Sequence, residues 1–263
     1  MTSPFRFFGN WSPAAVVCDV DGTLVDTERS WQEARIRTLA DYGLKPPAGF
    51  PERVEGMHYT DCGRLMAVEA SKPELAGELA DALLRHFLAR AGDDAVAMPG
   101  AADFVHRVAR RVPLAAASNC PAEAVRAGLE RAGLLHHMRH VVVAGMRVPG
   151  GSGATVRPKP WPDAYATAAR LCGAAPELVL AVEDSRTGAR AAREAGLRVL
   201  GVGSRLAGDG NGTGNGGGGS GGGSGGDGAV DAWVASLDDP ALLAWAGGLR
   251  PAASRSRGAP TAR

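Results

Sequence analysis

The chain is 263 residues long and 45% of them are hydrophobic, which is enough for one large folded domain or two small ones. Its 29 basic residues nearly balance its 28 acidic ones, and this excludes the strongly basic surface of a typical nucleic-acid-binding protein. The four cysteines form no metal-binding or disulfide motif, and no apolar stretch approaches the roughly 20 residues that span a bilayer. These features predict a cytoplasmic protein that binds neither nucleic acid nor membrane.

The first predicted element is a buried strand at residues 14–18, an apolar run that ends in the acidic sequence DVDGT. A helical pattern follows in residues 27–92. Its first helix is predicted from apolar residues at roughly helical spacing, namely Trp31, Ile36, Leu39 and Tyr42. Gly43 and two prolines end this pattern.

A second helix of this region is predicted by both its start and its apolar stripe. Ser71 and Glu74 have the spacing of a capping box, in which each side chain satisfies a backbone N–H at the start of a helix. One apolar face then follows, made of Leu75, Leu79, Leu83 and Phe87.

From residue 98 onward, short apolar strands alternate with helices. Strands are predicted at 114–117, 141–143, 178–182 and 199–202, and helices near 100–110, 121–132, 162–172 and 186–195. Such alternation is typical of a parallel sheet with helices on both faces, and the strand at 14–18 belongs to the same sheet. We therefore expect a doubly wound α/β core with an all-helical insertion.

The expected organisation divides the chain into six parts. They are a first part of the core at 14–26, a helical insertion at 27–92, a second part of the core at 93–206, a glycine-rich flexible loop at 207–229, a segment that closes the core at 230–248, and a disordered tail at 249–263. Within the loop, 14 of the 21 residues from 208 to 228 are glycine, a composition that does not order itself.

Chemically distinctive side chains follow four of the predicted strands. They are Asp19 and Asp21 after the first strand, Ser118 and Asn119 after the second, Lys159 after the third, and Glu183 and Asp184 after the fourth. Because the carboxyl ends of parallel strands meet at one edge of a sheet, we expect all seven to lie close together. Each feature alone has an ordinary explanation as a turn, a helix cap or a surface charge, but their joint occurrence at successive strand ends favours a site.

The residue types at this edge indicate phosphoryl chemistry. Several carboxylates close together repel one another unless a cation joins them, and oxygen ligands of this kind suit Mg²⁺. A carboxylate can attack a phosphoryl group and form an acyl phosphate, while a second acid two residues later can exchange protons with the leaving group and water. The Ser118 hydroxyl and the Lys159 ammonium would hold the phosphoryl oxygens.

These four segments, DVDGTLVDT, SN, KPWPDAY and VEDSRTGARAAREAG, resemble the motifs of the haloacid dehalogenase superfamily in order and approximate spacing. The resemblance covers residues 14–206, and the helical insertion resembles the C1 cap of the subfamily that includes phosphoglycolate phosphatase, sugar phosphatases and β-phosphoglucomutase. The segment MRVPGGSGATVRPKP, which precedes the lysine, is longer and richer in glycine than is usual for the family.

The resemblance implies a Mg²⁺-dependent phosphatase that acts on a small phosphorylated metabolite, and we expect a monomer. It implies a role for each motif residue: Asp19 as nucleophile, Asp21 as general acid and base whose carbonyl also binds Mg²⁺, Glu183 and Asp184 with Asp19 as metal ligands, and Ser118, Lys159 and Asn119 as phosphate ligands. The insertion would select the substrate, with His58, Tyr59 and Arg64 as candidate contacts. Trp31 fits either the core of the insertion or a substrate platform.

Two other functions remain as alternatives at this point. A phosphosugar mutase shares all four motifs, but β-phosphoglucomutase has a cap arginine and a cap histidine at the positions that Tyr59 and Trp31 occupy in this chain. A catalytically inactive binding module is disfavoured because the acidic and basic motif residues are all present. Dehalogenases of the superfamily lack the second acid, which is Asp21 here.

Overall fold

A six-stranded parallel sheet organises the molecule in the computed structural model, which describes residues 8, 11–46, 49–54, 57–91, 95–150, 153–203 and 230–250. The strands of this sheet are β1 (Ala15–Cys18), β4 (Leu114–Ser118), β5 (His140–Val143), β6 (Val179–Glu183), β7 (Arg198–Val202) and β8 (Ala232–Val234). Their order is β5-β4-β1-β6-β7-β8, and each pair is parallel. The sheet confirms the predicted α/β core, with every predicted strand within one residue of its observed bounds.

Helices cover both faces of the sheet, and the two faces have separate apolar cores. On one face lie α5 (Ala101–Ala109), α6 (Ala122–Arg131) and α9 (Pro240–Gly247), and on the other lie α7 (Asp163–Leu171) and α8 (Arg186–Glu194). Alternate residues of one strand enter different cores, so Val16 packs on the first face and Val17 on the second. All four residues of β1 are buried because both faces are covered.

The helical insertion enters and leaves the core through a two-stranded antiparallel ribbon. Strand β2 (Val25–Asp26) precedes the insertion, strand β3 (Val96–Ala97) follows it, and Val25 is the partner of Ala97. Between these strands lie α1 (Glu28–Asp41), α2 (Phe50–Val54), α3 (Tyr59–Glu69) and α4 (Ala76–Ala91). The chain thus leaves the sheet and returns to it at one place.

Three of the four residues of the predicted apolar stripe lie on α4, whereas Leu75 is half-buried in the turn before it. Leu79, Leu83 and Phe87 are buried. Two further details of the insertion were predicted wrongly. In α1, Ile36 is 66% exposed, so it does not belong to the buried stripe. Packing of the helices against one another, rather than apolar spacing alone, decides which face of α1 is covered.

The predicted capping box before α4 is absent. Ser71 lies in a turn after α3 with a φ of 55°, and its N–H donates to the Val68 carbonyl. Glu74 lies within a short 3₁₀ turn, Pro73–Leu75, and α4 begins only at Ala76. The proline fixes the backbone at the start of the 3₁₀ turn, and the Lys72 before it makes no side-chain cap bond.

The C-terminal part of the described chain extends the sheet. Strand β8 pairs with β7, with Leu200 opposite Ala232, and α9 packs on the same face as α5. The glycine-rich loop predicted at 207–229 lies outside the described residues, as does the predicted tail from residue 251 onward. Among the helices of the described ranges, none is both long and apolar enough to cross a membrane.

Candidate active site at the carboxyl edge of the sheet

Asp19 lies at the centre of the sheet edge, directly after β1. Its N–H donates to the Val182 carbonyl of the neighbouring strand at 2.9 Å, and the residue is 7% exposed. Gly22 has a φ of 86°, which a glycine adopts without strain, and the chain turns back there toward β2. The Asp19 carboxylate is thereby fixed at the base of a cleft between the sheet edge and the helical insertion.

A buried lysine contacts this carboxylate. Lys159 Nζ lies 2.5 Å from Asp19 Oδ1 and 2.6 Å from Glu183 Oε1, and the lysine is 4% exposed. The Tyr165 hydroxyl donates to the same Glu183 oxygen at 2.8 Å. Although the segment before the lysine is unusually long, the structure thus brings Lys159 to the sheet edge, where Glu183 and Tyr165 hold its ammonium.

The pKa values show how strongly these charges interact. Burial raises the pKa of Asp19 well above its ordinary value, and the Lys159 ammonium opposes this shift. Three carboxylates, those of Glu183, Asp184 and Asp21, raise it further. Burial disfavours the charged form of Lys159, but its contacts with Asp19 and Glu183 outweigh burial, so its pKa is raised. A second cation beside Asp19 would relieve the repulsion among the carboxylates.

Three of the carboxylates lie close enough together to hold a divalent cation. Oxygen atoms of Asp19, Glu183 and Asp184 lie within 4.8 Å of one another. Asp19 Oδ2 is buried and has no hydrogen-bond partner among the described residues, so it is an orphaned acceptor. Asp184 Oδ1 accepts from the Thr23 hydroxyl at 3.0 Å, which orients this carboxylate. Carboxylate oxygens of this kind fit Mg²⁺.

Glu183 differs from the other two carboxylates because both of its oxygens already have partners. Oε1 accepts from Lys159 and Tyr165, and Oε2 accepts from the backbone N–H and the hydroxyl of Ser185, both at 3.0 Å. The carboxylate packs so closely on α8 that a Cβ at Gly188 would lie 1.6 Å from Oε1. Glu183 is therefore within reach of a cation, but its hydrogen bonds are to Lys159, Tyr165 and Ser185.

The second acid, Asp21, is held between two hydroxyl groups. Its Oδ2 accepts from Ser118 at 2.8 Å, and its Oδ1 accepts from Thr27 at 2.9 Å. Ser118 Oγ in turn accepts from the Cys120 N–H at 2.9 Å. The end of β4 is thus joined directly to the turn after β1, and Asp21 lies beside the predicted phosphate ligand.

Asn119 contacts the backbone of Lys159 with both ends of its amide. Its Oδ1 accepts from the Lys159 N–H at 2.7 Å, and its Nδ2 donates to the Lys159 carbonyl at 3.3 Å. Asn119 also lines the cleft, but these two bonds commit its amide to positioning the lysine. Asn119 therefore supports Lys159, and its role as a phosphate ligand stays a prediction.

The helical insertion provides the opposite wall of the cleft. His58 and Tyr59, both predicted as substrate contacts, line it together with Trp31 and Met57. Trp31 also stacks on Phe87, with 3.7 Å between the ring centroids, so it is both a packing residue of the insertion and a wall of the cleft. The cleft has a cavity volume of about 50 Å³.

Arg64, the third predicted substrate contact, does not line this cleft. Its side chain is 67% exposed and forms an ion pair with Asp61 at 2.5 Å, three residues earlier on α3. Helix α3 begins at Tyr59, so Arg64 lies more than one turn further along and on another face. The structure therefore brings together the motif residues of the sheet edge with His58 and Tyr59, but not with Arg64.

Several residues of the site were missed in the sequence, among them Thr27 and Met57, which line the cleft. Tyr165 follows Lys159 by six residues and lies on the buried face of α7. Glu28 and Arg35 line the cleft from α1. A signal for the latter pair was present, because residues 28, 31 and 35 lie on one face of a helix that also carries Trp31.

Several known proteins are similar to this chain in sequence. Residues 13–196 match the family described as haloacid dehalogenase-like hydrolase. A phosphorylated carbohydrates phosphatase from Thermotoga maritima is 29% identical over 198 residues, which are 72% of this chain and 84% of that protein. A probable pseudouridine-5'-phosphatase from Drosophila melanogaster is 32% identical over 197 residues, which are 71% of this chain and 80% of that protein.

The fold has solved counterparts as well. The crystal structure of CbbY from Rhodobacter sphaeroides in complex with phosphate has a TM-score of 0.66 and 23% identity, over 88% of this chain and 99% of that one. The family match to residues 13–196 includes all four strand ends that form the site. The chain therefore belongs to the haloacid dehalogenase-like hydrolases.

Proposed function

We propose that this enzyme, a phosphoric monoester hydrolase of the haloacid dehalogenase-like family, hydrolyses a small phosphomonoester through an aspartyl-phosphate on Asp19. The observation that carries the proposal is the state of the Asp19 carboxylate. One of its oxygens is paired with buried Lys159, and the other is a buried acceptor with no partner among the described residues. Such a carboxylate is fixed in place, close to positive charge, and available for bond formation.

The reaction needs two displacements at phosphorus. In the first, an Asp19 oxygen forms a bond to phosphorus while the bond to the leaving oxygen breaks, and Asp21 gives that oxygen a proton. In the second, Asp21 takes a proton from water, the water oxygen bonds to phosphorus, and the bond to Asp19 breaks. The two hydroxyl groups that contact Asp21 would keep its carboxylate beside the leaving oxygen.

Positive charge and hydrogen-bond donors would compensate the negative charge on the phosphoryl oxygens. Lys159 supplies an ammonium that Glu183 holds while Asn119 holds the lysine backbone, and Ser118 supplies a hydroxyl. Asp19, Asp184 and the Asp21 carbonyl would hold Mg²⁺, with Glu183 behind them. When bound, Mg²⁺ neutralises charge on the carboxylates and on the phosphoryl group.

The substrate that we propose is a sugar phosphate, a polyol phosphate or a molecule like phosphoglycolate. The similar proteins from T. maritima and D. melanogaster carry the names of phosphatases of phosphorylated carbohydrates and of pseudouridine-5'-phosphate. In this chain the leaving group would lie against the wall formed by the insertion, where His58 and Tyr59 are available as contacts. The insertion would then act as a cap that selects the substrate.

Burst kinetics on a panel of phosphorylated metabolites would test this proposal. Purified protein with Mg²⁺ should release inorganic phosphate, and acid quenching during turnover should trap phosphate covalently on the protein but not on an Asp19→Asn variant. Beryllium fluoride should inhibit the wild-type protein by mimicking the aspartyl-phosphate. Transfer of phosphate between two positions of a sugar, without release, would instead support the mutase. Absence of any phosphoprotein under turnover would contradict the mechanism.

A further inference from the structure

The cleft has two buried cations on opposite walls, and the proposed chemistry uses only one of them. Among the residues that the structure describes, Lys159 and Arg35 are the basic residues classed as buried, at 4% and 6% exposed. Both line the cleft. Lys159 contacts Asp19 at the sheet edge, whereas Arg35 belongs to α1 of the helical insertion. Burying a guanidinium is costly, so its partners indicate what it is there to do.

Arg35 has one charged partner and several neutral ones. A guanidinium nitrogen lies 2.9 Å from Glu28 Oε1, and another donates to the Val54 carbonyl at 3.3 Å. Its Nε is buried without a partner among the described residues. Arg35 also contacts the Cys62 thiol, whose pKa burial raises to about 11, so the thiol stays neutral. Glu28 therefore supplies the carboxylate that balances Arg35.

The pair lies on one fixed face of the cleft. Residues 28, 31 and 35 lie on the same side of α1, so Trp31 lies between the two charged residues along the helix. Stacking of Trp31 on Phe87 fixes this part of α1 against α4. The Glu28 side chain is 25% exposed, so its carboxylate can reach a bound molecule. This face of α1 thus presents a hydrogen-bond acceptor from Glu28, an aromatic ring from Trp31 and a donor from Arg35.

A histidine that also lines the cleft adds no charge. His58 Nδ1 accepts from the Thr60 N–H at 3.3 Å and lies 2.6 Å from the Thr60 hydroxyl. Burial lowers the pKa of His58, which keeps the ring neutral near pH 7 even though Asp61 opposes the shift. The helical wall that the leaving group would contact thus carries the paired carboxylate and guanidinium of Glu28 and Arg35, and its other lining residues are neutral.

We propose that the Glu28–Arg35 pair is a subsite for neighbouring hydroxyl groups, so that the preferred substrate carries an uncharged, polyhydroxylated leaving group. This inference rests on the phosphatase function proposed above and deepens it. One hydroxyl can donate to Glu28 while the next accepts from Arg35, and the Trp31 ring can contact the carbon face of the chain. The substrate class is then a polyol or sugar monophosphate.

A second anionic group fits this subsite poorly. Arg35 lies 2.9 Å from the Glu28 carboxylate, so a carboxylate or phosphate bound to Arg35 would lie beside a second negative charge. Two negative charges so close together repel strongly in a partly buried site. Phosphoglycolate and sugar bisphosphates are therefore disfavoured as substrates. Glu28 is therefore the residue that disfavours anionic leaving groups, because removal of its charge would leave Arg35 without a balancing carboxylate.

A substrate-preference measurement on charge-neutralised variants tests this assignment. We define the preference as kcat/KM for a hexitol 6-phosphate divided by kcat/KM for phosphoglycolate. The wild-type value should exceed about 10, and Glu28→Gln should lower it about 100-fold, because hydroxyl contacts weaken while the anion gains an unopposed guanidinium. Arg35→Gln should lower kcat/KM for the hexitol phosphate without improving phosphoglycolate.

Glu69→Gln provides a matched control from the same insertion. Glu69 pairs with Arg53 at 2.7 Å and does not line the cleft, so this variant should keep the wild-type preference. A wild-type preference for phosphoglycolate, or a Glu28→Gln variant with unchanged preference, would overturn the subsite. Because Glu28 is partly exposed, this variant remains informative if Arg35→Gln fails to fold.

Methyl phosphate separates failure of the subsite from failure of the phosphatase function. It is a phosphomonoester with no distal group that could reach Glu28 or Arg35, so the wild-type protein should hydrolyse it whatever the leaving-group preference. If the wild-type protein hydrolyses methyl phosphate but shows no preference for the hexitol phosphate, only the subsite is wrong. If it hydrolyses no phosphate ester, both the subsite and the proposed function are wrong.

Discussion

The two walls of the cleft are built in different ways. On the sheet wall, each charged side chain follows a strand and is held by hydrogen bonds to residues of another strand end, as Lys159 is by Asn119 and Glu183. On the helical wall, the residues come from the faces of α1 and α3, and packing such as that of Trp31 on Phe87 holds them. The difference suggests that the sheet wall supplies the chemistry common to all substrates, and the helical wall supplies choice among them.

The largest expected effect is that of Asp19→Asn on the sheet wall. The variant retains shape but loses the nucleophilic carboxylate, so kcat should fall at least about 10³-fold for every substrate. Steady-state kinetics on two chemically different phosphate esters would measure this, with thermal unfolding to verify the fold. Asp103→Asn, at an exposed position on α5, is the control and should keep full activity. Substantial turnover by the Asp19 variant would exclude the proposed nucleophile.

Removal of the metal should also affect all substrates equally. A chelator should abolish activity and Mg²⁺ should restore it, while Ca²⁺ should inhibit because its larger and looser coordination shell disturbs the geometry. Asp184→Asn should raise the Mg²⁺ concentration for half-maximal activity about 10–100-fold. Mg²⁺ should also raise the melting temperature of the wild-type protein more than that of this variant. Full activity in metal-free protein would contradict the assigned metal ligands.

A pair of glycine substitutions compares a packed position beside the sheet wall with an exposed position on the helical insertion. In Gly188→Ala the new Cβ would overlap the Glu183 carboxylate, so we expect a loss of about 1–3 kcal/mol of unfolding free energy and a lower kcat. In Gly77→Ala, on α4, the Cβ would meet nothing within 4 Å, and the higher helix propensity of alanine should stabilise by about 0.5–1 kcal/mol. Denaturant unfolding of both variants measures the contrast. Unchanged stability of the Gly188→Ala variant would show that Glu183 moves aside freely.

The smallest expected effect is that of Tyr59→Phe on the helical wall. Loss of one hydroxyl in the cleft should raise KM for the preferred substrate about 3–10-fold and leave kcat nearly unchanged, since Tyr59 touches none of the proposed reacting groups. Arg64→Gln should change neither value, because Arg64 pairs with Asp61 at the surface. Kinetics on the preferred substrate and on methyl phosphate would measure both variants. A changed substrate preference in Arg64→Gln would place that arginine in the cleft after all.

The sheet wall could be predicted from the sequence because the end of each strand can be located from the chain pattern alone. A run of buried apolar residues predicts a strand, and the parallel arrangement then brings the following residues to one edge. Asp19, Lys159 and Asp184, which lie far apart in sequence, meet there in the structure. The roles of Glu183 and Asn119 in holding Lys159 could not be predicted, because they depend on which side chains come within hydrogen-bond distance in the folded structure.

The helical wall was harder to predict because each residue turns a helix by about 100°. Apolar spacing placed Ile36 in the buried stripe of α1, yet Ile36 is 66% exposed while its neighbour Arg35 is 6% exposed. Burial of an arginine instead of an isoleucine depends on partners from other elements, here Val54 at the end of α2 and Cys62 on α3. Those contacts form only in the tertiary structure, so the spacing of apolar residues within α1 does not predict them.

The paired ribbon of β2 and β3 has a consequence for how this chain can change over evolution. Val25 and Ala97 are direct antiparallel partners, so the residues that flank the insertion lie about 5 Å apart. A segment whose ends are adjacent can be lengthened, shortened or exchanged without altering the register of the six strands. The helical wall can therefore be replaced as a unit by recombination, while the strand ends that carry Asp19 and Lys159 are inherited unchanged.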